Sequence, residues 1–198
     1  MLSSGRSSAV ERWGRRPMTT LPSTGELKKL TLRALAAYAA SCARRGSGAL
    51  HGVLEEEIIE SPLRIAERVA SSATPIPRVS IAILDAALGV TRIFSAVPPG
   101  KKRAGLCLVA LSSVIVGIHE AGRNLVDTNS PGFARRMYLR SIRSAVNIAK
   151  WAVPIDGPTE EAVHAARHDY EVLVQAYGKH EEVVLGEPVD VPGLRAQG

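Results

Sequence analysis

The uncharged run over residues 104–118 constrains the fold more than any other stretch of the chain. Three cations, Lys101, Lys102 and Arg103, precede fifteen residues that carry no charge and include only two serines. A helix that is apolar on all sides must be enclosed by other helices or by lipid. Fifteen residues fall short of the roughly 20 that cross a bilayer. The run therefore predicts the central helix of a soluble all-α bundle, with no integral membrane span.

The composition suits closely packed helices. Of the 198 residues, 45% are hydrophobic but only 4% are aromatic, so Leu, Ile, Val and Ala must form the core. Such a length supports one domain with tails. We predict a helical bundle over 24–178, a disordered basic leader over 1–23 and an extended tail over 179–198. Met1 and Met18 both remain open as the translation start.

Apolar residues at helical spacing predict about six helices. Thr24 is the expected N-cap of the first, which ends near Gly46, and a loop and short helix follow over 46–60. Ser61 and Pro62 are typical of the start of another helix. Further helices are predicted over 79–97, 104–118, 133–153 and 159–177.

The two cysteines, Cys42 and Cys107, fall on apolar faces of predicted helices. No CxxC pair or secretory signal accompanies them. We interpret them as reduced core thiols of a cytoplasmic protein.

Charge is distributed unevenly along the chain. The formal net charge is +6, yet residues 101–150 hold nine Lys and Arg against two acids, whereas residues 151–198 hold three against nine. The two segments could dock on each other. Alternatively, the basic segment binds an anionic partner.

The predicted helix over 133–153 is strongly amphipathic. Its apolar stripe is expected to be Leu139, Ile142, Val146, Ala149 and Val153. The opposite stripe is Arg136, Arg140, Arg143, Asn147 and Lys150. With Lys101, Lys102 and Arg103, these cations are candidates for binding nucleic acid or an anionic membrane surface. The alternatives are a solvated face or a docking surface for the acidic C-terminal region.

Two groups of residues suggest other chemistry. Glu161, His164 and His168 are spaced 3 and 4 apart, so they lie near one face of a helix and are candidate metal ligands. His119 and Glu120 could form an acid–base pair. No nucleophile motif or phosphate loop is present, so we assign no catalytic residues and expect no cofactor.

Two patches resemble known families. LAAYAASCARR at 35–45, followed by PLRIAERVA at 62–70, is similar to the opening of small all-helical immunity proteins of bacterial toxin systems. HDYEVLVQAYGKHEEVVLGEPV at 168–189 resembles the C-terminal part of an uncharacterised bacterial helical family. The resemblance implies a protein-binding role and carries over no functional residues.

These observations lead to three hypotheses of function. The first is a non-enzymatic module that binds another protein, in the manner of an immunity protein, and a homo-oligomer is compatible with it. The second is binding of nucleic acid or an anionic surface through the helix over 133–153. The third is a metal-dependent helical-bundle enzyme that uses Glu161, His164 and His168.

Overall fold

A computed structural model describes residues 20–73, 97–126, 130–155, 159–178 and 182–196. The predicted helix over 79–97 lies outside the described residues except for its last residue, Val97, which is buried. Most of the predicted leader also lies outside them.

The described residues form seven helices and no β-strand. The helices are α1 (Thr24–Leu27), α2 (Leu32–Ser47), α3 (Glu56–Ser71), α4 (Lys102–Val126), α5 (Pro131–Ala152), α6 (Thr159–Tyr177) and α7 (Val191–Ala196). The prediction of an all-α bundle of about six helices is confirmed: five of the seven described α-helices have 16 residues or more, and α1 and α7 have four and six.

The first predicted helix is in fact two helices. Ser23, not Thr24, caps α1: its hydroxyl accepts a hydrogen bond from the Glu26 N–H, while the Glu26 carboxylate accepts one from the Ser23 N–H. This reciprocal arrangement is a capping box. Thr31 then caps α2 by accepting from the Ala34 N–H. One continuous helix from Thr24 was therefore the wrong prediction, because Thr31 begins a second helix.

α2 is the most deeply buried helix. Every residue over 32–40 is buried, Arg33 included, and α3, α4, α5 and α6 all contact this helix. The helix also continues past Gly46, where the sequence predicted its end. A Cβ at Gly46 would lie 2.7 Å from the Cys107 Sγ and 3.0 Å from the Ala152 Cα. Glycine at this position thus lets α2 approach α4 and α5 closely.

The apolar run lies within α4, as predicted. α4 packs along α5 and also contacts α2 and α3. With the turn that precedes it, the segment from Pro99 to Val126 is the one described helix long and apolar enough to cross a membrane, and 72% of its most apolar window is buried inside the protein. The run over 104–118 is therefore a central helix of the bundle.

α3 begins earlier than the sequence indicated. It starts at Glu56 and runs through Pro62, which is buried in its interior. Proline in a helix interior removes one backbone hydrogen bond. Glu56 and Glu57 lie in the first turn, where the helix dipole favours anions, and Ile59 is buried. The prediction that Ser61 and Pro62 start the helix was wrong, because the acidic first turn and the buried Ile59 extend the helix upstream.

The inward face of α5 is rotated relative to the predicted apolar stripe. Its buried residues are Ala134, Tyr138, Ser141, Ile142, Ala145, Ile148 and Ala149. Polar Tyr138 and Ser141 can face inward because their hydroxyls reach backbone acceptors: the Tyr138 hydroxyl donates to the carbonyls of Lys28 and Leu30. A Cβ at Gly117 would overlap the Ser141 Oγ, so this glycine sets how closely α4 and α5 approach.

The C-terminal segment closes the N-terminal end of α2. The first two N–H groups of α2, on Leu32 and Arg33, donate to the carbonyls of Val184 and Leu185. The Arg33 guanidinium donates to the carbonyl of Gly186. These N–H groups have no partner within their own helix. The segment over 182–190 therefore supplies the acceptors that the helix start needs.

Candidate functional site

α5 carries an exposed row of cations. Arg135, Arg136, Arg140, Arg143 and Lys150 are all exposed, and we call these five residues the cationic face. Arg136 is stacked 5.7 Å from the centroid of the Phe133 ring. Among the described residues, no carboxylate lies within ion-pair distance of any member of this face. The predicted polar stripe is thus on the surface, and it has no acidic partner in the described part of the chain.

The acidic C-terminal region packs elsewhere in the part of the chain that is described. Asp169 pairs with Arg45 of α2, and Glu171 pairs with Arg167 of its own helix. The segment over 182–190 lies against the start of α2, and the Val189 N–H donates to the Ala70 carbonyl of α3. Among the described residues, no ion pair or hydrogen bond joins this region to the side chains of the basic stripe, so none supports the interpretation that the two dock on each other.

A cleft of about 1390 Å³ opens where the ends of four helices meet. The C-terminal ends of α2 and α5 and the N-terminal ends of α4 and α6 border it. Its charged and polar lining comprises Arg45, Lys101, Arg103, Thr159, Glu160, Glu161, His164 and His168. Lys102, which the sequence grouped with Lys101 and Arg103, is exposed but does not line the cleft.

The structure does not group Glu161, His164 and His168 as metal ligands, although all three line the cleft. Within the described ranges, no three His, Cys, Asp or Glu side chains are placed to hold a metal ion. Glu161 and His164 are exposed, whereas the His168 Nε2 is shielded from solvent and has no hydrogen-bond partner among the described residues. Helical spacing brings the three residues near one face, but the His168 ring is turned inward.

His119 and Glu120, the candidate acid–base pair, lie within ion-pair distance but are not hydrogen-bonded to each other. The His119 Nδ1 lies 3.6 Å from the Glu120 Oε1, beyond normal hydrogen-bond distance, and it is buried without a hydrogen-bond partner in the described structure. The sequence predicted that both residues lie where α4 leaves the core. In the structure, His119 is still buried in the core.

An ion pair between the partly exposed Arg45 and the buried Asp169, beside the cleft, was missed by the sequence analysis. The Arg45 guanidinium donates to the Asp169 carboxylate at 2.6 Å, and the Ser41 hydroxyl donates to the same oxygen at 2.7 Å. Burial would lower the pKa of Arg45, but Cys42 and Asp169 more than offset it and keep that pKa above its ordinary value. An acid in the apolar stripe of Ala166, Tyr170 and Leu173 was the signal that could have revealed this pair.

Both cysteines are buried free thiols with raised pKa values. Burial is the first cause for each: it raises the pKa of Cys42 to about 11 and that of Cys107 to about 12. Because the thiolate is the reactive form, on the order of one Cys42 in a thousand is ionised at pH 8. The arrangement favours inert structural thiols.

We expect neither cysteine to react with iodoacetamide at pH 8 in the folded protein, and both to react after unfolding in denaturant. Mass spectrometry counts the modified thiols. The stabilisation from keeping them protonated is complete below pH 9, their ordinary pKa, and is lost as the pH rises through 11 to 12, because the unfolded chain releases these protons first. Rapid alkylation of either thiol without denaturant would contradict this.

Comparisons with known proteins identify no relative. The chain matches no protein-family model, no curated protein and no solved structure.

Proposed function

We propose that this protein is a non-enzymatic interaction module that binds an acidic protein through the cationic face of α5. The observation that carries the proposal is the set of five exposed cations that have no carboxylate partner among the described residues. Like charges held close together on one surface repel one another, and a partner of opposite charge relieves that repulsion. The resemblance to immunity proteins suggests a toxin as the partner and remains a prediction.

The geometry that supports the proposal is a row of cations on a helix whose other side is packed in the bundle. The opposite side of α5 is packed on α4 and α2, and Ile142 and Ile148 are completely buried there. The spacing from Arg136 to Lys150 spans about 21 Å along the helix axis. Because the backbone that carries these charges is already ordered by packing, binding orders only the side chains, and their fixed spacing favours a partner with matching carboxylates.

A protein partner suits this face better than nucleic acid. Proteins that bind single strands add aromatic stacking platforms to their cations, and aromatic residues are only 4% of this chain. Phe133, the aromatic residue beside the face, is already covered by Arg136. Reading a duplex requires an element that enters a groove, whereas α5 is held within the bundle on its inner side. An acidic protein surface needs neither feature.

The test compares two variants of equal charge. R136E/R140E/R143E reverses the cationic face, while K28E/K29E/K102E reverses three exposed lysines elsewhere. Each protein is immobilised and exposed to a nuclease-treated, membrane-free extract of the source cells. A recovered protein is then purified and its affinity is measured by calorimetry. We expect the face variant to bind at least about 100-fold more weakly than wild type, and the control variant to bind within about threefold.

Direct binding assays distinguish the other anionic partners. The three proteins are titrated with a DNA duplex and with phosphatidylserine vesicles at physiological salt. Face-dependent binding to the duplex or the vesicles, with no purified protein that binds, would overturn the proposal in favour of nucleic acid or membrane. Equal loss of affinity in both variants would also overturn it, because the cationic face would then have no special role.

A further inference from the structure

One wall of the cleft, at the start of α4, is positive and has no acidic partner within the described ranges. α4 begins with cations rather than acids, although the N-terminal end of a helix carries a partial positive charge and favours anions. Lys101 and Arg103 lie at this end and line the cleft, and no described carboxylate pairs with either one. Arg103 also donates to the Lys150 carbonyl at the end of α5, which fixes its position. This wall combines side-chain charge with the helix dipole.

Part of the cleft lining is apolar and open to water. Trp151 and Ile155 belong to this part. Ile155 is 71% exposed and is one of two large hydrophobic side chains left exposed in the described chain. Ligand sites typically combine such apolar surface with a few polar groups that fix orientation. These two side chains offer contact area to a flat or branched apolar group.

The part of the cleft formed by the start of α6 limits the charge of what can bind. Glu160 and Glu161 lie in the first turn of α6 and face the same cleft, where they complement the dipole of their own helix. A long polyanion would meet these carboxylates and be repelled. A small molecule with a single anionic end brings less negative charge to these acids, and Lys101 and Arg103 can compensate that charge.

We propose that this cleft is a binding site for a small organic anion: a phosphate or carboxylate bound by Lys101 and Arg103 at the start of α4, with an apolar body packed on Trp151 and Ile155. His168 lines the same cleft, and its Nε2 has no hydrogen-bond partner among the described residues. The site is separate from the cationic face of α5, and the proposal does not depend on the protein-binding function.

The test uses phenyl phosphate and benzoate as probes on the full chain, with calorimetry and thermal unfolding as readouts. We expect at least one probe to bind with a Kd at or below about 1 mM and to raise Tm. Inorganic phosphate, which lacks the apolar body, and benzyl alcohol, which lacks the charge, should bind about tenfold more weakly or not at all. The better of the two probes identifies the anionic group.

Two neighbouring lysines provide a matched pair of variants. K101E changes a residue that lines the cleft, whereas K102E makes the same charge change one position along, outside the cleft. We expect K101E to weaken probe binding about tenfold or more, and K102E to weaken it by no more than about threefold, because screening attenuates charges that do not touch the ligand.

Three results would overturn the proposal. The first is that neither aromatic probe binds in the millimolar range. The second is that K101E and K102E weaken probe binding equally. The third is that inorganic phosphate binds as tightly as phenyl phosphate. R136E/R140E/R143E should leave probe binding unchanged, so failure of the cleft proposal and failure of the protein-binding proposal can be told apart.

Discussion

Replacing Arg45 with alanine should lower the free energy of unfolding by about 3 kcal/mol. The substitution leaves the Asp169 carboxylate, only 3% exposed, with the Ser41 hydroxyl but without its cation. A buried charge that loses its partner costs far more than the pair contributes when intact, because the desolvation of the remaining ion is no longer compensated. Urea denaturation followed by circular dichroism measures the change.

A second substitution tests whether the loss comes from the uncompensated charge of Asp169. In the R45A background, D169N removes the stranded charge and keeps a side chain that can still accept from Ser41, so R45A/D169N should be more stable than R45A alone. R64A serves as the control, since the Arg64–Glu57 pair is exposed and should contribute little. If D169N does not rescue R45A, the loss comes from packing of the arginine stem and not from the ion pair.

Replacing Gly186 with alanine should destabilise the protein by roughly 2–5 kcal/mol. Gly186 has a φ of +82°, which an L side chain adopts only with strain, and an added Cβ would overlap the Oγ1 and Cβ of Thr31. Thr31 is the N-cap of α2, so relief of the overlap must move either the cap or the C-terminal segment. Thermal and urea unfolding report the loss.

Gly52 is the matched control for this substitution. It also has a positive φ, +75°, but nothing lies within 4 Å of an added Cβ. Gly52→Ala therefore measures backbone strain alone and should cost about 1–2 kcal/mol. Equal losses for the two variants would mean that the C-terminal segment does not press on the start of α2.

The fold class could be predicted from the sequence because it depends on patterns that are local. The uncharged run over 104–118 must be enclosed, whichever segments surround it. The row of cations on α5 must lie on the surface, because charges are excluded from an apolar core. Helix boundaries were harder. Thr31 caps α2 within a continuous apolar pattern, and Gly46 and Pro62 lie inside helices because packing there outweighs their local preferences.

The candidate site depends on contacts between distant parts of the chain. No spacing in the sequence relates Arg45 to Asp169, 124 residues away. The cleft is formed by the ends of four helices, so its lining is discontinuous in sequence. The central position of α2 was also missed, because its alanines give only a weak apolar signal in the sequence. In the structure, these small side chains permit contact with four other helices. The sequence shows which side chains are charged or apolar, but it does not show which of them lie close together in the fold.

Amide hydrogen exchange of the full chain in detergent-free buffer tests most directly whether α2 and α4 are enclosed by the other helices. Amides in the most enclosed helices open only with global unfolding. We predict that residues 35–42 and 108–118 exchange slowest in the protein, at a rate set by its overall stability. Fast exchange over 108–118, or protein that stays in solution only with detergent, would contradict the bundle and the positions of the cationic face and the cleft.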